Sequence, residues 1–399
     1  MTLDEHQASS PFVSERTFSR RRSAIDVVAP YLAVPGVERL IEFLRVAFDA
    51  QLTFRSKTGT HFEVRIGDSM LMAGQHFASD LITMASYLVT GGAGFIGSHL
   101  AEELVHRGHR VRVVDSLITG KRRNLDHISG VEFLEGDLAE TNVAARAVEG
   151  MDYVLHQAAI PSVPRSVKDP ITSNRANIDA SLNILVAARD AGVRRLVYAG
   201  SSSVYGDTPT LPKREDMPPN PLSPYALQKL VAEQYCQMFT RLYGFETVTI
   251  RYFNVFGPRQ DPGSPYSGVI SLFSTALLEG RQPTIYGDGA QTRDFTYVAN
   301  VVDGVLRASE APDAAGEVIN VACGTRISLN DLLRVMNGIV GTNIQAIYEK
   351  ERAGDVRDSQ ADITKARTLL GYQPIVSLEE GLKHTLDWCR AEAAATAGR

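Results

Sequence analysis

Residues 87–104, YLVTGGAGFIGSHLAEEL, set a short β-branched run, a glycine-rich turn and an amphipathic helix directly after one another. A strand that turns straight into a helix is half of a crossover unit, and no other stretch constrains the fold as much. Two glycine registers overlap in the turn: Gly92, Gly94 and Gly97 spell G-x-G-x-x-G, and Gly91, Gly94 and Gly97 spell G-x-x-G-x-x-G. Missing side chains let the backbone turn tightly and approach a pyrophosphate, whose charge the helix N-terminus meets. A glycine-rich turn without a ligand is the competing reading. It loses weight because Asp115 ends the next β-branched run, about 20 residues on, as a dinucleotide fingerprint requires. A carboxylate there accepts from the adenosine ribose hydroxyls and repels a 2′-phosphate, which favours NAD over NADP. Arg112, Lys121, Arg122 and Arg123 lie nearby and leave a phosphate-accommodating alternative open.

From Ala85 onward, YLVT, VRVVD, VEFLEGD, DYVLHQ, RLVYAGS and TVTIRY alternate with segments long enough to cross over. The pattern predicts an α/β fold, with a Rossmann-type doubly wound parallel sheet over residues 85–251. After Tyr252, Gly and Pro are frequent and helices return at LNDLLRVMNGIV and SLEEGLKHTLDWC. Residues 252–399 are therefore expected to form mainly a smaller C-terminal substrate lobe, with some segments returning to the Rossmann domain. Upstream, residues 1–23 read as a flexible tail. Residues 24–80 read as a βαβββ module: IDVVAPYLAV, VERLIEFLRVAF, LTFRS, FEVRIG and SMLMAG.

Composition narrows the function classes. Hydrophobic content of 44%, charged content of 22% and a net charge of −5 describe a soluble protein whose field does not attract nucleic acid or anionic membrane. The apolar stretches are too short to span a bilayer and no charged-then-apolar leader opens the chain, so a cytoplasmic protein is expected. Cys236, Cys323 and Cys389 are too scattered for a disulfide framework or a metal knuckle.

LSPYALQK, residues 222–229, supplies the chemistry. Ser223 suits an N-cap and Pro224 the first helical position, so Tyr225 and Lys229, one turn apart, share a helix face. A phenol titrates near ~10 in water, and a neighbouring ammonium is expected to lower that value and make the pair a proton-transfer device. Tyrosine–lysine pairs are commonplace on exposed helices. However, AGSSSVYGD puts Ser201 at a strand's carboxyl end, where α/β sheets bind ligands and a hydroxyl can hold the reacting oxygen.

TGGAGFIG, Asp115, Gly136-Asp137, HQAA at His156 to Ala159, SSSVYGD, SPYALQK and RYFNVFGPRQDP together resemble the extended short-chain dehydrogenase/reductase family, specifically its nucleotide-sugar 4-epimerases, over residues 85 to about 390. The resemblance implies that Tyr225 transfers the proton, Lys229 binds the nicotinamide ribose and tunes Tyr225, and Ser201 assists at the sugar's 4-hydroxyl. It implies NAD contacts from Gly91, Gly94, Phe95, Ile96 and Gly97, from Asp137 and Leu138 beside adenine, and from Gln157, Ala158, Ala159 and Tyr252. UDP contacts are implied for Asn254, Arg293, Arg352 and Asp355, with Thr284 and Tyr286 in the base-binding strand and Gly268-Val269 in a contact loop. Separately, PYLAVPGVERLIEFLRVAFDA and HFEVRIGDSMLM resemble the vicinal oxygen chelate (glyoxalase-like) family over residues 25–75. One such half-module, with only His61 and Glu63 as candidate ligands, cannot complete a coordination shell, so no metal is expected.

Within the family, relatives that eliminate water or carbon dioxide carry acidic groups in the serine strand, where this chain has Ser202 and Ser203. Epimerisation is the better reading. Ser359 matches the position that bears a tyrosine in strictly UDP-glucose enzymes, and HQAAIPSVPRSVKDP resembles the subgroup preferring UDP-N-acetylglucosamine, with Ser162, Ser202, Ser203, Asn254 and Gly268 on pocket positions. Pro161 replaces the glycine expected there. The expected reaction is NAD-dependent 4-epimerisation of UDP-N-acetylglucosamine and UDP-N-acetylgalactosamine, extending to UDP-glucose and UDP-galactose. The alternatives are a UDP-glucuronate 4-epimerase and, from another class, a non-catalytic NAD-binding regulator. The family also implies a homodimer through helices near Asn177 and Tyr225.

Overall fold

The computed structural model describes residues 31–34, 37–55, 61–66, 69–75, 84–261, 268–351 and 356–397. The expected tail, residues 1–23, lies outside them. The chain divides into two compact units, Met1–Thr83 and Met84–Arg399.

In the first unit β1 (Tyr31–Val34), α1 (Val37–Phe48), β2 (Gln51–Arg55), β3 (His61–Ile66) and β4 (Ser69–Gln75) follow the expected βαβββ order. They form one sheet in the order β1-β4-β3-β2, with β1 and β4 parallel and the other pairs antiparallel. Ile41 and Leu44, three apart on α1, are buried, as is Val64 of β3. That spacing is what an amphipathic helix on one sheet face requires.

In the second unit the alternation becomes β5 (Ser86–Thr90), α2 (Phe95–His106), β6 (Arg110–Asp115), β7 (Val131–Glu135), α3 (Thr141–Val148) and β8 (Tyr153–His156). It continues with α4 (Val163–Lys168), α5 (Pro170–Asn174), α6 (Ala180–Asp190), β9 (Arg195–Ser201), α7 (Pro224–Tyr243) and β10 (Glu246–Tyr252). These strands join β15 (Val318–Val321) in a seven-stranded sheet ordered β15-β10-β9-β8-β5-β6-β7, every neighbouring pair parallel. Strand side chains alternate, so Tyr87 and Val89 pack with Leu100 and Leu104 of α2 on one face, while Leu88 packs with α6 and α7 on the other. Each fully buried leucine contributes roughly 1.5–3 kcal/mol. The strand order reverses between β5 and β8, and this switch point is where such sheets bind ligands.

Beyond β10 come β11 (Val255–Phe256), α8 (Val269–Leu278), β12 (Thr284–Tyr286), β13 (Thr292–Arg293), β14 (Thr296–Tyr297) and α9 (Val298–Glu310). After β15 follow β16 (Ile327–Ser328), α10 (Leu329–Val340), β17 (Ile347–Glu349), α11 (Thr364–Leu370) and α12 (Leu378–Ala397). The short strands pair β11 with β14, β12 with β17 and β13 with β16. Among the described residues no helix is long and apolar enough to cross a membrane, and no group of three or more His, Cys, Asp or Glu could hold a metal.

Candidate active site

The glycine turn after β5 is as tight as its spacing predicts. Gly91 has φ +63, and a Cβ there would lie 2.7 Å from the Ala158 amide nitrogen. A Cβ on Gly97 would collide with the Gly91 carbonyl. Any side chain at either position would close the cradle. Gly94 precedes α2 and offers no side-chain cap, so the first amides of that helix are left for an anion.

The opposite wall is held by a buried chain of hydrogen bonds. Thr90 Oγ1 accepts from the amides of Gln157 and Ala158, both at 3.1 Å, and meets His156 Nδ1 at 2.7 Å. With both amides donating, the threonine hydroxyl must donate to Nδ1. His156 Nε2–H then donates to Ser181 Oγ at 3.0 Å, and Ser181 donates to the Asn177 carbonyl at 2.7 Å. Only neutral imidazole satisfies this chain, and burial pushes the His156 pKa down to about 3. Tyr252 donates to Gln157 Oε1 at 2.9 Å, whereas Gln157 Nε2 is buried without a partner and lines the cleft.

Ser223 Oγ accepts from the Ala226 amide at 3.2 Å and starts α7 with Pro224 in its first turn, as expected. Tyr225 and Ser201 line the same cleft, and Ser201 Oγ lies 2.8 Å from Ser203 Oγ. One expectation fails. Withdrawal from water pushes the Tyr225 pKa up to about 12, and the Ser201 side chain is the opposing influence. Lys229, only 4% exposed, donates from Nζ to the Ala199 carbonyl at 2.8 Å, and burial drives its own pKa down to about 8. The Lys229 ammonium does not offset the desolvation of the phenol, so desolvation wins.

One cleft of about 1270 Å³ gathers all the residues expected to hold the cofactor or carry the chemistry, together with Ser162, Ser202, Ser203, Asn254, Gly268, Arg293 and Ser359. Val269, Thr284 and Tyr286 line an adjoining cavity of about 240 Å³ that shares Asn254, Gly268 and Arg293 with it. Arg352 and Asp355 lie outside the described residues. Ser162 Oγ caps α4 by accepting from the Arg165 amide at 3.2 Å. Asn254, with φ +37, donates to the Asp294 carbonyl at 3.0 Å and to Ser359 Oγ at 3.4 Å. The Asp294 carboxylate takes amides from Cys323, Gly324 and Ala361 at 3.1, 3.0 and 3.1 Å, pinning the segment that bears Ser359. Burial nevertheless raises its pKa to about 7. Sequence reasoning missed Asp294, and also Lys213, a buried ammonium that borders the cleft and donates to Thr208. No local spacing marks either one, because their partners are distant backbone groups or a loop hydroxyl.

The sequence profile of the NAD dependent epimerase/dehydratase family matches residues 87–322. The chain belongs to this family. UDP-glucose 4-epimerase of Mycolicibacterium smegmatis is 41% identical over 308 residues, covering 76% of this chain and 98% of that protein. The solved UDP-N-acetylglucosamine 4-epimerase from Methanobrevibacter ruminantium M1, in complex with UDP-N-acetylmuramic acid, is 38% identical. Its TM-score is 0.74, covering 77% of this chain and 99% of that one. A UDP-glucuronic acid 4-epimerase mutant from Bacillus cereus, in complex with NAD and a fluorinated UDP-glucuronic acid, has 34% identity and a TM-score of 0.72, covering 77% and 99%. The likeness of residues 25–75 to vicinal oxygen chelate modules is not borne out, and the family match begins only at residue 87.

NAD, the cofactor of this epimerase/dehydratase family, fits the residues present. The glycine cradle suits a pyrophosphate, and Gln157 Nε2 is a donor awaiting a partner. Asp115 borders the cleft while accepting from the amides of Ala93 and Leu117 at 3.0 and 2.8 Å. The four cations that left a 2′-phosphate open are engaged elsewhere. Arg112 donates to the Ala147 and Glu149 carbonyls, Lys121 pairs with Asp261, Arg122 lies over Phe133, and Arg123 pairs with Glu392. With no cation committed to Asp115, the NAD preference stands.

Proposed function

We propose that the protein catalyses NAD-dependent 4-epimerisation of a UDP-hexose by way of a 4-keto sugar. The observation that carries this reading is the convergence on one cleft of Ser201, at the carboxyl end of β9, with Tyr225 and Lys229, one turn apart on α7. Ser201 holds the sugar's 4-hydroxyl oxygen and Tyr225 takes its proton. NAD held in the cradle of Gly91, Gly94 and Gly97 would supply a reversible hydride acceptor for C4, so that inversion involves no net redox change. The high pKa of Tyr225 confines ionisation to the moment when positive charge faces it in the cleft. Ser202 and Ser203 bring hydroxyls and no carboxylate, so no group here drives the loss of water or carbon dioxide. A non-catalytic regulator has no use for this set.

UDP-N-acetylglucosamine and UDP-N-acetylgalactosamine are the proposed pair, with UDP-glucose and UDP-galactose also accepted. Ser359, small and beside Asn254 on the cleft wall, leaves room for an acetamido group. Asn254 and Arg293 are assigned to the diphosphate; Gly268, Val269, Thr284 and Tyr286, around the adjoining cavity, to the uridine. A UDP-glucuronate 4-epimerase is the second reading, and Lys213 is what favours it: the residue borders the cleft, and its ammonium would be the counter-charge to a 6-carboxylate. Turnover of the three UDP-sugars by wild type separates the readings. Ser359→Tyr is expected to abolish turnover of the N-acetyl pair while sparing the glucose pair; equal loss of both refutes the size argument.

A homodimer is inferred from α7, which leaves Leu227, Met238 and Leu242 exposed along one flank. A reducing, cytoplasmic setting is inferred from Cys236, Cys323 and Cys389, all free thiols.

A further inference from the structure

The segment Gly257–Asp261, just after β11, makes contacts that neither the cofactor cradle nor the sugar site explains. Arg259 holds a left-handed backbone at φ +67, a strained state for a non-glycine residue that persists only where surrounding contacts enforce it. Its side chain is 11% exposed, and the guanidinium ion-pairs with Glu102 of α2 and donates to His99 Nδ1 at 2.5 Å. It also faces His127 Nε2 at 3.3 Å. His99 Nε2–H donates to the Pro258 carbonyl at 3.0 Å, which leaves Nδ1 as the acceptor and ties the loop to α2 a second time. Asp261 pairs with Lys121 at 2.8 Å. The Lys121 amide and Asn124 Nδ2 both donate to the Ala93 carbonyl, each at 2.9 Å, so this anchor belongs to the glycine turn itself. Lys121, Asn124, Arg259, Gln260 and Asp261 all border the cofactor cleft.

We propose that Gly257–Asp261 is a clasp that retains NAD: Arg259 and Asp261 are positioning residues that tie the segment after β11 to the dinucleotide half of the cleft, on α2 and on the loop after β6. The cofactor leaves only when these contacts open. Charge-assisted hydrogen bonds to a mostly buried guanidinium are strong, and truncating one partner acts chiefly on dissociation. The proposal rests on the reading of this cleft as the NAD site.

The test is NAD content per chain, measured chromatographically after denaturation, as the full-length protein is dialysed against NAD-free buffer. Wild type is expected to keep its NAD. Arg259→Ala and Lys121→Asp are expected to lose it on the order of tenfold faster, Arg259→Lys by less, and the double reversal Lys121→Asp with Asp261→Lys to recover retention. Melting transitions report folding, and if Arg259→Ala does not fold, the half-exposed Lys121–Asp261 set decides alone. A folded Arg259→Ala protein that holds NAD as long as wild type overturns the clasp, as does a double reversal no better than Lys121→Asp. A wild type that neither carries nor takes up NAD overturns the site reading and the clasp together.

Discussion

Tyr225, Ser201 and His156 show how far single residues follow from local pattern. Tyr225 and Ser201 were legible because each sits at an element boundary that sequence marks, a Ser-Pro helix start and a strand's carboxyl end. The electrostatics were not. The Lys229 ammonium is claimed by the Ala199 carbonyl, a partner 30 residues upstream, and spacing along α7 cannot reveal it. His156 was readable only as part of HQAA, while its task, fixing the amides of Gln157 and Ala158 through Thr90, depends on contacts across β5 and β8. That task carries a pH signature. The folded protein keeps His156 neutral, with a pKa of about 3 against 6.5 for the free group, so below pH 6.5 the unfolded chain binds the extra proton. Stability is therefore expected to fall as pH drops from 6.5 towards 3. Urea midpoints at pH 7 and pH 5 check this: His156→Asn should show a smaller acid loss than wild type, and parallel losses would remove His156 as the cause.

At the scale of elements, α7 is the part on which the proposed chemistry depends, since Tyr225 and Lys229 occupy its first turns. It is locked to β10 by a bidentate pair, Arg251 to Glu233 at 2.9 and 2.6 Å, with both side chains at most 5% exposed. Removing one partner strands the other charge in the interior. Glu233→Ala is expected to destabilise the fold by about 3–5 kcal/mol, measured by chemical denaturation, whereas a loss under about 1 kcal/mol would mean that Arg251 reaches water. The parallel strands β5 to β10 were legible because each is a β-branched run bounded by a crossover. The two-residue strands β11, β13, β14 and β16 were not, since two residues show no period and their pairing is set by tertiary contact. Glycine and proline in that region signal irregular chain without saying where it docks.

For the molecule as a whole, the described residues that line the cleft all belong to the second unit, and the first unit has its own sheet and buried residues. A chain beginning at Met84 is therefore expected to fold and to keep activity close to that of the full protein; a folded but inactive truncation would show that residues 1–83 serve the site. The central claim is that Tyr225 moves the proton at C4. Its most direct test is turnover of UDP-N-acetylglucosamine by wild type and Tyr225→Phe without added cofactor, read as the C4-inverted product by NMR. The account predicts conversion by wild type and a loss on the order of 10²–10⁴-fold in the variant with NAD still bound. Undiminished turnover by Tyr225→Phe would contradict it.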